Sequence, residues 1–145
     1  MVITLPHTKV ISKVVNPLKE FELEQYIMLS NDSYASMMQL MWDRKEPFIN
    51  VEHDVVVTQE RIQEIWNCPR DWCSYGYTKE DKFAELTCVY FGCVKFNRGI
   101  IEAIPHVWEE MVDRNWWVID CYFTQYARSH GLKVHQHFPH VEHLK

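Results

Sequence analysis

Chain punctuation is scarce here: the 145 residues include only 4 glycines and 6 prolines. That excludes collagen-like and low-complexity compositions. No linker, repeat or charge block divides the chain, so one compact domain over 1–145 is the expected organisation. No apolar run approaches the ~20 residues of a membrane span. The opening MVITLPHTKV lacks the charged lead and long apolar core of a signal peptide. Positive charge is also short. Lys and Arg number 15 against 20 Asp and Glu, a net charge of −5 with histidine neutral. A protein that grips nucleic acid mainly through phosphates is usually basic, so the balance speaks against that mode. There is no CxxC. The five cysteines (Cys68, Cys73, Cys88, Cys93, Cys121) are odd in number, and their two C-x4-C spacings are wider than zinc-ribbon knuckles. The expectation is reduced, mostly buried thiols in a cytoplasmic protein.

Apolar material is plentiful: 47% of residues are hydrophobic and 14% aromatic. A chain of this length and composition can bury a core without staples. Val2–Leu5 and Lys9–Val15 read as extended, being rich in β-branched residues. Tyr26–Leu29 is a short apolar run ending in the turn-and-cap sequence Ser30-Asn31-Asp32-Ser33. A helix capped by Asp32 or Ser33 follows, with Met37, Met38, Leu40 and Met41 on its buried face. Phe48–Val51 reads as a buried strand. Thr58 can cap a helix whose Ile62, Ile65 and Trp66 recur at i, i+3, i+4. Leu86–Phe96 suggests a strand interrupted at Gly92. Arg98–Val112 reads as helical on either side of Pro105. Trp117–His130 is a helix with Ile119, Tyr122, Phe123 and Tyr126 on one face and Gly131 at its C-cap. Leu132–Phe138 alternates and reads as a strand that Pro139 ends. Strands alternating with helices indicate α/β architecture with a mostly parallel sheet.

Four features bear on chemistry. Glu52-His53-Asp54 carries two carboxylates between apolar neighbours, a costly placement unless they are paired or hold a cation. Beyond the carboxyl end of a strand in an open α/β sheet, they suit a hard divalent ion bridging to a diphosphate. The plain alternative is neutralisation by nearby Arg or Lys. Histidines crowd the end of the chain (His135, His137, His140, His143) and could ligate a metal or donate to phosphate. A solvated polar terminus is the other reading. Asp120 falls in the first turn of the long helix, where it either answers the helix dipole or serves as a general base, with Trp116 and Trp117 able to dry its surroundings. Trp72, Tyr75 and Tyr77 lie in an expected loop, where aromatic faces stack on sugars or bases, unless they simply pack over the sheet edge.

Taken in order from Tyr34 to Leu144, the chain resembles glycosyltransferases of the GT-A type. It is most like very short glycosyltransferase-like proteins of bacteria and their viruses. The likeness rests on the helix ending in Trp42, on Pro47-Phe48-Ile49-Asn50-Val51-Glu52-His53-Asp54-Val55-Val56 and on Cys68-Pro69-Arg70-Asp71-Trp72-Cys73. It continues through Gly92-Cys93-Val94-Lys95-Phe96, Trp117-Val118-Ile119-Asp120 and the closing His135–Leu144 segment. The resemblance implies a minimal GT-A-like (nucleotide-diphospho-sugar transferase) α/β sandwich, with a mostly parallel central sheet flanked by helices. It implies metal-dependent sugar transfer from a nucleotide-sugar donor, foremost a UDP-sugar, to an acceptor hydroxyl. That hydroxyl would belong to a glycan, a small molecule or a modified DNA base. Glu52-His53-Asp54 matches the Asp-x-Asp position for Mn²⁺ or Mg²⁺ and the donor diphosphate, with Glu first and His in the middle. Asp120 matches the acid that deprotonates the acceptor. His143, with His140 as alternative, matches a late histidine at the metal or diphosphate. Asn31 and Asp32 match the contact with base or ribose. Two rival readings are a non-catalytic nucleotide-sugar or glycan binding module of the same fold, and a zinc protein using the C-terminal histidines.

Overall fold

Apolar residues on alternate sides of the strands build two cores, one on each face of a sheet. The computed structural model describes residues 1–77 and 88–144. Its elements are β1 (Val2–His7), α1 (Ser12–Val15), a 3-10 turn (Asn16–Leu18), β2 (Glu22–Ile27), α2 (Ser33–Arg44), β3 (Phe48–Val51), β4 (Val55–Val56) and α3 (Gln59–Asn67). There follow β5 (Trp72–Tyr77), β6 (Cys93–Phe96), α4 (Arg98–Ala103), a second 3-10 turn (Val107–Glu110), α5 (Ile119–Ser129) and β7 (His135–His143). The strands form one seven-stranded sheet in the order β2-β1-β3-β6-β5-β7-β4.

β1, β2, β3, β5 and β7 run one way, while β6 and β4 run against them. The sheet is therefore mixed, not mostly parallel as the sequence suggested. Cys93–Phe96 is buried on both faces like a parallel interior strand, which is why its direction was not legible. Along β3, Phe48 enters one core and Ile49 the other; along β6, Val94 and Phe96 face the first and Cys93 the second. The first core holds α2, α4 and α5 around Trp42, Phe48, Trp72, Trp108 and Phe123. The second holds α1 and α3.

α2 buries Tyr34, Met37, Met38, Met41 and Trp42, the i, i+3, i+4, i+7, i+8 stripe. Leu40 lies off that stripe and is 46% exposed, against expectation. The Thr58 hydroxyl caps α3 by accepting the Arg61 N–H at 3.3 Å, as its sequence predicts. α5 ends before Gly131, whose φ is 78°.

Other expectations are corrected. Ser12–Val15 is a helical turn, not a strand, because it packs Val14 and Val15 onto the sheet. Trp72, Tyr75 and Tyr77 belong to β5 and are buried, so they form no open stacking loop. Of Leu86–Phe96, residues 86–87 lie outside the described residues and only Cys93–Phe96 is strand. β7 does not stop at Pro139. Its register against β5 jumps from Tyr75↔His137 to Tyr77↔Val141, and Pro139 sits in that bulge, where the ladder asks for no N–H. The bulge carries His140 over Gly76, where a Cβ would come within 2.6 Å of Nδ1. Cys88 and Cys121 are joined by a disulfide, while Cys68, Cys73 and Cys93 are free and buried, so the cysteines are not all reduced. Among the described residues no helix is long and apolar enough to cross a membrane.

Candidate active site

One sheet edge gathers the chemistry. The parallel strands β1, β2, β3, β5 and β7 all end there, and the antiparallel β6 begins there. It thus brings together Asn31 and Asp32 after β2, Glu52-His53-Asp54 after β3, Tyr77, Gly92 and His143. This is the edge at which open α/β sheets bind ligands.

The acidic segment is a turn between β3 and β4, pinned at both ends. Glu52 N–H donates to the Gly92 carbonyl at 3.0 Å, and Val55 N–H to the Glu52 carbonyl at 3.2 Å. Leu144 N–H donates to the Asp54 carbonyl at 2.7 Å, continuing the Val55↔His143 and Val56↔Glu142 ladder. That ladder sets His143 beside Asp54, Nε2 to Oδ2 at 3.0 Å. Behind His143 stands Tyr77, ring centroids 4.5 Å apart, itself stacked on Tyr90 at 4.4 Å. Gly92 must be glycine, because a Cβ there would overlap the Tyr77 phenol.

Asn50, one residue before the end of β3, locks the turn from below. Its Nδ2 donates to the Tyr34 hydroxyl and to the Phe91 carbonyl, both at 2.8 Å, and its Oδ1 accepts from the Thr4 hydroxyl at 2.8 Å. Asn50 and Thr4 are wholly buried. The sequence reading missed this network. Its one signal was a lone Asn inside an apolar strand, which burial tolerates only with full hydrogen bonding.

Asp120 approaches from α5. Its Oδ1 accepts the Cys121 N–H at 2.8 Å, and its carbonyl accepts from the Thr124 hydroxyl at 2.7 Å. Thr124 accepts in turn from Val89 N–H at 2.9 Å, and the Cys88–Cys121 disulfide ties the same two segments. Trp117 is 80% exposed, so it does not dry Asp120 as expected.

The acids feel one another. Burial, then the charges of Asp120 and Asp54, push the Glu52 carboxyl up to about 8, with His143 pulling the other way. Burial pushes Asp120 up to about 7, against the backbone hydrogen bonds to Cys121 and Asp120 itself. Burial would also raise Asp54, but the hydrogen bond and charge of His143, with the charge of His53, hold it below the usual range. Glu52, Asp54 and Asp120 all keep some exposed surface. Among the described residues no Lys or Arg forms an ion pair with any of them. The plain reading of the acidic triplet, neutralisation by Arg or Lys, is not what these residues show.

The remaining sequence candidates are placed as follows. Asn31 and Asp32 are exposed at the β2–α2 turn, where Asp32 Oδ1 accepts from the Ser30 hydroxyl and the Ser33 hydroxyl receives the Leu29 and Ser30 N–H groups. His140 packs on Gly76 and Phe138, whereas His143 is the histidine bonded to Asp54. Glu52, Asp54 and His143 are not among the described groups whose ligand atoms all lie within 4.8 Å; those groups are Cys68/His135/His137 and Cys88/Asp120/Cys121. A preformed cage is not required for Mg²⁺ or Mn²⁺. Such ions are commonly held by one or two carboxylates, with substrate phosphates and water filling the other positions. Asp54 and His143, with Glu52 alongside lacking any cationic partner, fit that kind of ion.

No family model and no curated protein matches the chain. Solved structures do share its fold. The chain is similar to a glycosyltransferase involved in the glycosylation of the major capsid of PBCV-1, over 95% of its own length and 82% of that chain, with 13% identity and a TM-score of 0.59. It is likewise similar to A197 from STIV, over 94% and 80% of the two chains, with 13% identity and a TM-score of 0.55. At such identity the likeness is one of fold, and at that level the resemblance to a viral glycosyltransferase holds.

Proposed function

We propose that this chain is a glycosyltransferase that takes a sugar from a nucleotide-sugar donor, a UDP-sugar foremost, with Mn²⁺ or Mg²⁺ at the acidic turn. The observation that carries the reading is the meeting of Glu52, Asp54 and Asp120 with His143 at the ligand edge of the sheet, without a Lys or Arg counter-charge among the described residues.

Asp54 and His143 hold the cation, with Glu52 beside them. When bound, the ion offsets the charge that develops on the leaving diphosphate. Asn31 and Asp32 reach the ribose or base from the β2–α2 turn. Asp120, held near neutrality by burial, is matched to accept a proton at working pH. As the acceptor oxygen bonds to the anomeric carbon and the bond to the diphosphate breaks, the acceptor proton passes to the Asp120 carboxylate. The exposed Trp117, three residues before Asp120, offers an aromatic face for the acceptor sugar or ring.

The test is donor hydrolysis and transfer over a panel of nucleotide sugars with Mn²⁺. Asp54→Asn should lose both activities. Asp120→Asn should keep donor binding and lose transfer. Full activity in Asp54→Asn would refute the metal assignment.

A further inference from the structure

At the opposite end of the β5–β7 ladder, far from the acidic turn in register, lies a second cluster. Cys68 is the C-cap of α3, and His135 and His137 open β7. Cys73 pairs with His135 and Tyr75 with His137, so both imidazoles share the sheet face that carries Cys73. Cys68 Sγ lies 3.3 Å from His135 Nδ1, the two imidazole rings are 4.7 Å apart, and one ligand atom from each of the three residues falls within 4.8 Å of the others.

We propose that Cys68, His135 and His137 form a zinc site that clamps the end of α3 to the start of β7. The spacing suits the ion: a tetrahedral zinc, with Zn–S about 2.3 Å and Zn–N about 2.0–2.1 Å, sets sulfur and nitrogen donors about 3.5 Å apart. The chemistry suits it too, since a thiolate with imidazoles selects zinc over Mg²⁺ or Mn²⁺. An independent observation points to a ligand. His137 Nε2 is buried and has no hydrogen-bond partner, a costly state that a metal bond relieves. Exposed His135 gives an ion a way in, while buried Cys68 closes the inner side. The Cys73 thiol donates to the Arg70 carbonyl at 3.6 Å and is not one of these donors, so a water is the fourth ligand.

The neighbouring charges are consistent with a cation. Glu64 on α3 acts on His137 with favourable sign. Lys95 is the opposing charge, but its ammonium is turned to the carbonyls of Trp66 and Cys68, the latter at 2.8 Å, and lies over the Trp66 ring at 5.1 Å. The sequence pointed to the C-terminal histidines as ligands. The fold divides them, giving His135 and His137 to this cluster, with a cysteine from α3, and His143 to Asp54.

The test is metal binding by the intact chain, zinc read by competition with a chromophoric chelator and Co²⁺ used as a spectroscopic probe. We expect one tightly bound ion per chain, with a thiolate-to-cobalt charge-transfer band and tetrahedral ligand-field bands, and at most a weaker second ion at the acidic turn that gives no thiolate band. Cys68→Ser should abolish the charge-transfer band. His135→Ala, at an exposed position that leaves the fold intact, and His137→Ala should weaken zinc binding about tenfold or more. His143→Ala should leave it unchanged. A wild-type cobalt spectrum without the thiolate band, zinc affinity unaltered in His135→Ala, or an equal loss in His143→Ala would each overturn the site.

Discussion

The two ends of the β5–β7 ladder carry opposite chemistry. At the end where the parallel strands finish, the donors are oxygens with a single imidazole: Asp54, Glu52, Asp120 and His143. At the end where they begin, the donors are a thiol and two imidazoles: Cys68, His135 and His137. Strand direction explains the division. Turns that follow parallel strands are free to bring acids toward a ligand. The opposite edge lies where α3 ends, so it meets a helix C-terminus and its cap. β7 links the two, opening with the soft donors and closing with His143, and its bulge at Pro139 keeps His140 apart from either set. The lesson is that a run of histidines close in sequence serves two places, because one strand carries its residues from one edge of the sheet to the other.

That division can be broken from either side. The largest expected effect is at the acidic edge. Asp54→Asn should cut sugar transfer by about 100-fold or more while zinc affinity at the other edge stays at the wild-type value. A parallel fall in both would mean the edges are not separate sites.

Next in size is the dependence of stability on pH without divalent cations. Glu52 and Asp120 titrate at about 8 and about 7 in the folded chain, above their ordinary values of 4.5 and 3.8. The native state therefore holds more protons than the unfolded chain between those limits. The stabilisation is full below about pH 4 and is lost as pH rises through 7 and 8. Denaturant unfolding in EDTA should show stability falling by on the order of 2–4 kcal/mol from about pH 5 to about pH 8.5. Glu52→Gln should flatten most of that slope, and added Mn²⁺ should reduce it in the wild type.

A smaller effect tests how the edge is built. Gly92→Ala would force its methyl into the Tyr77 phenol. Chemical unfolding should show a loss of about 1–3 kcal/mol, with weaker cation binding because Gly92 also fixes Glu52 through its carbonyl. Smallest of all, Trp117→Ala should raise the acceptor KM a few-fold, about 1 kcal/mol, and leave donor hydrolysis and Tm alone.

Much of the fold was legible because its signals are local. The Thr58 cap, the burial of Met37, Met38 and Met41 on α2 and Gly131 after α5 each follow from spacing alone, whereas Leu40 was placed on the wrong face. What escaped was set by partners distant in sequence. β5 was misread because Trp72–Tyr77 is buried along its whole length and so shows no polar alternation. Pro139 ends a strand by every local rule, yet a bulge absorbs it. The direction of β6 has no signature within Cys93–Phe96. The acids were legible as an anomaly, two charges between valines, but the pairing of Asp54 with His143 needed the β4–β7 ladder. The Asn50 network and the role of Cys68 needed the packed sheet.

In the proposed function the acidic turn captures a cation together with a diphosphate. The direct measurement is calorimetric titration of UDP into the purified chain, with Mn²⁺ and with EDTA, for wild type, Asp54→Asn and His143→Ala. UDP binding in Mn²⁺ should disappear in EDTA and in Asp54→Asn, weaken in His143→Ala, and release protons near pH 7 as the Glu52 carboxyl gives up its proton beside the ion. Equal UDP affinity with and without Mn²⁺, and in Asp54→Asn, would contradict it.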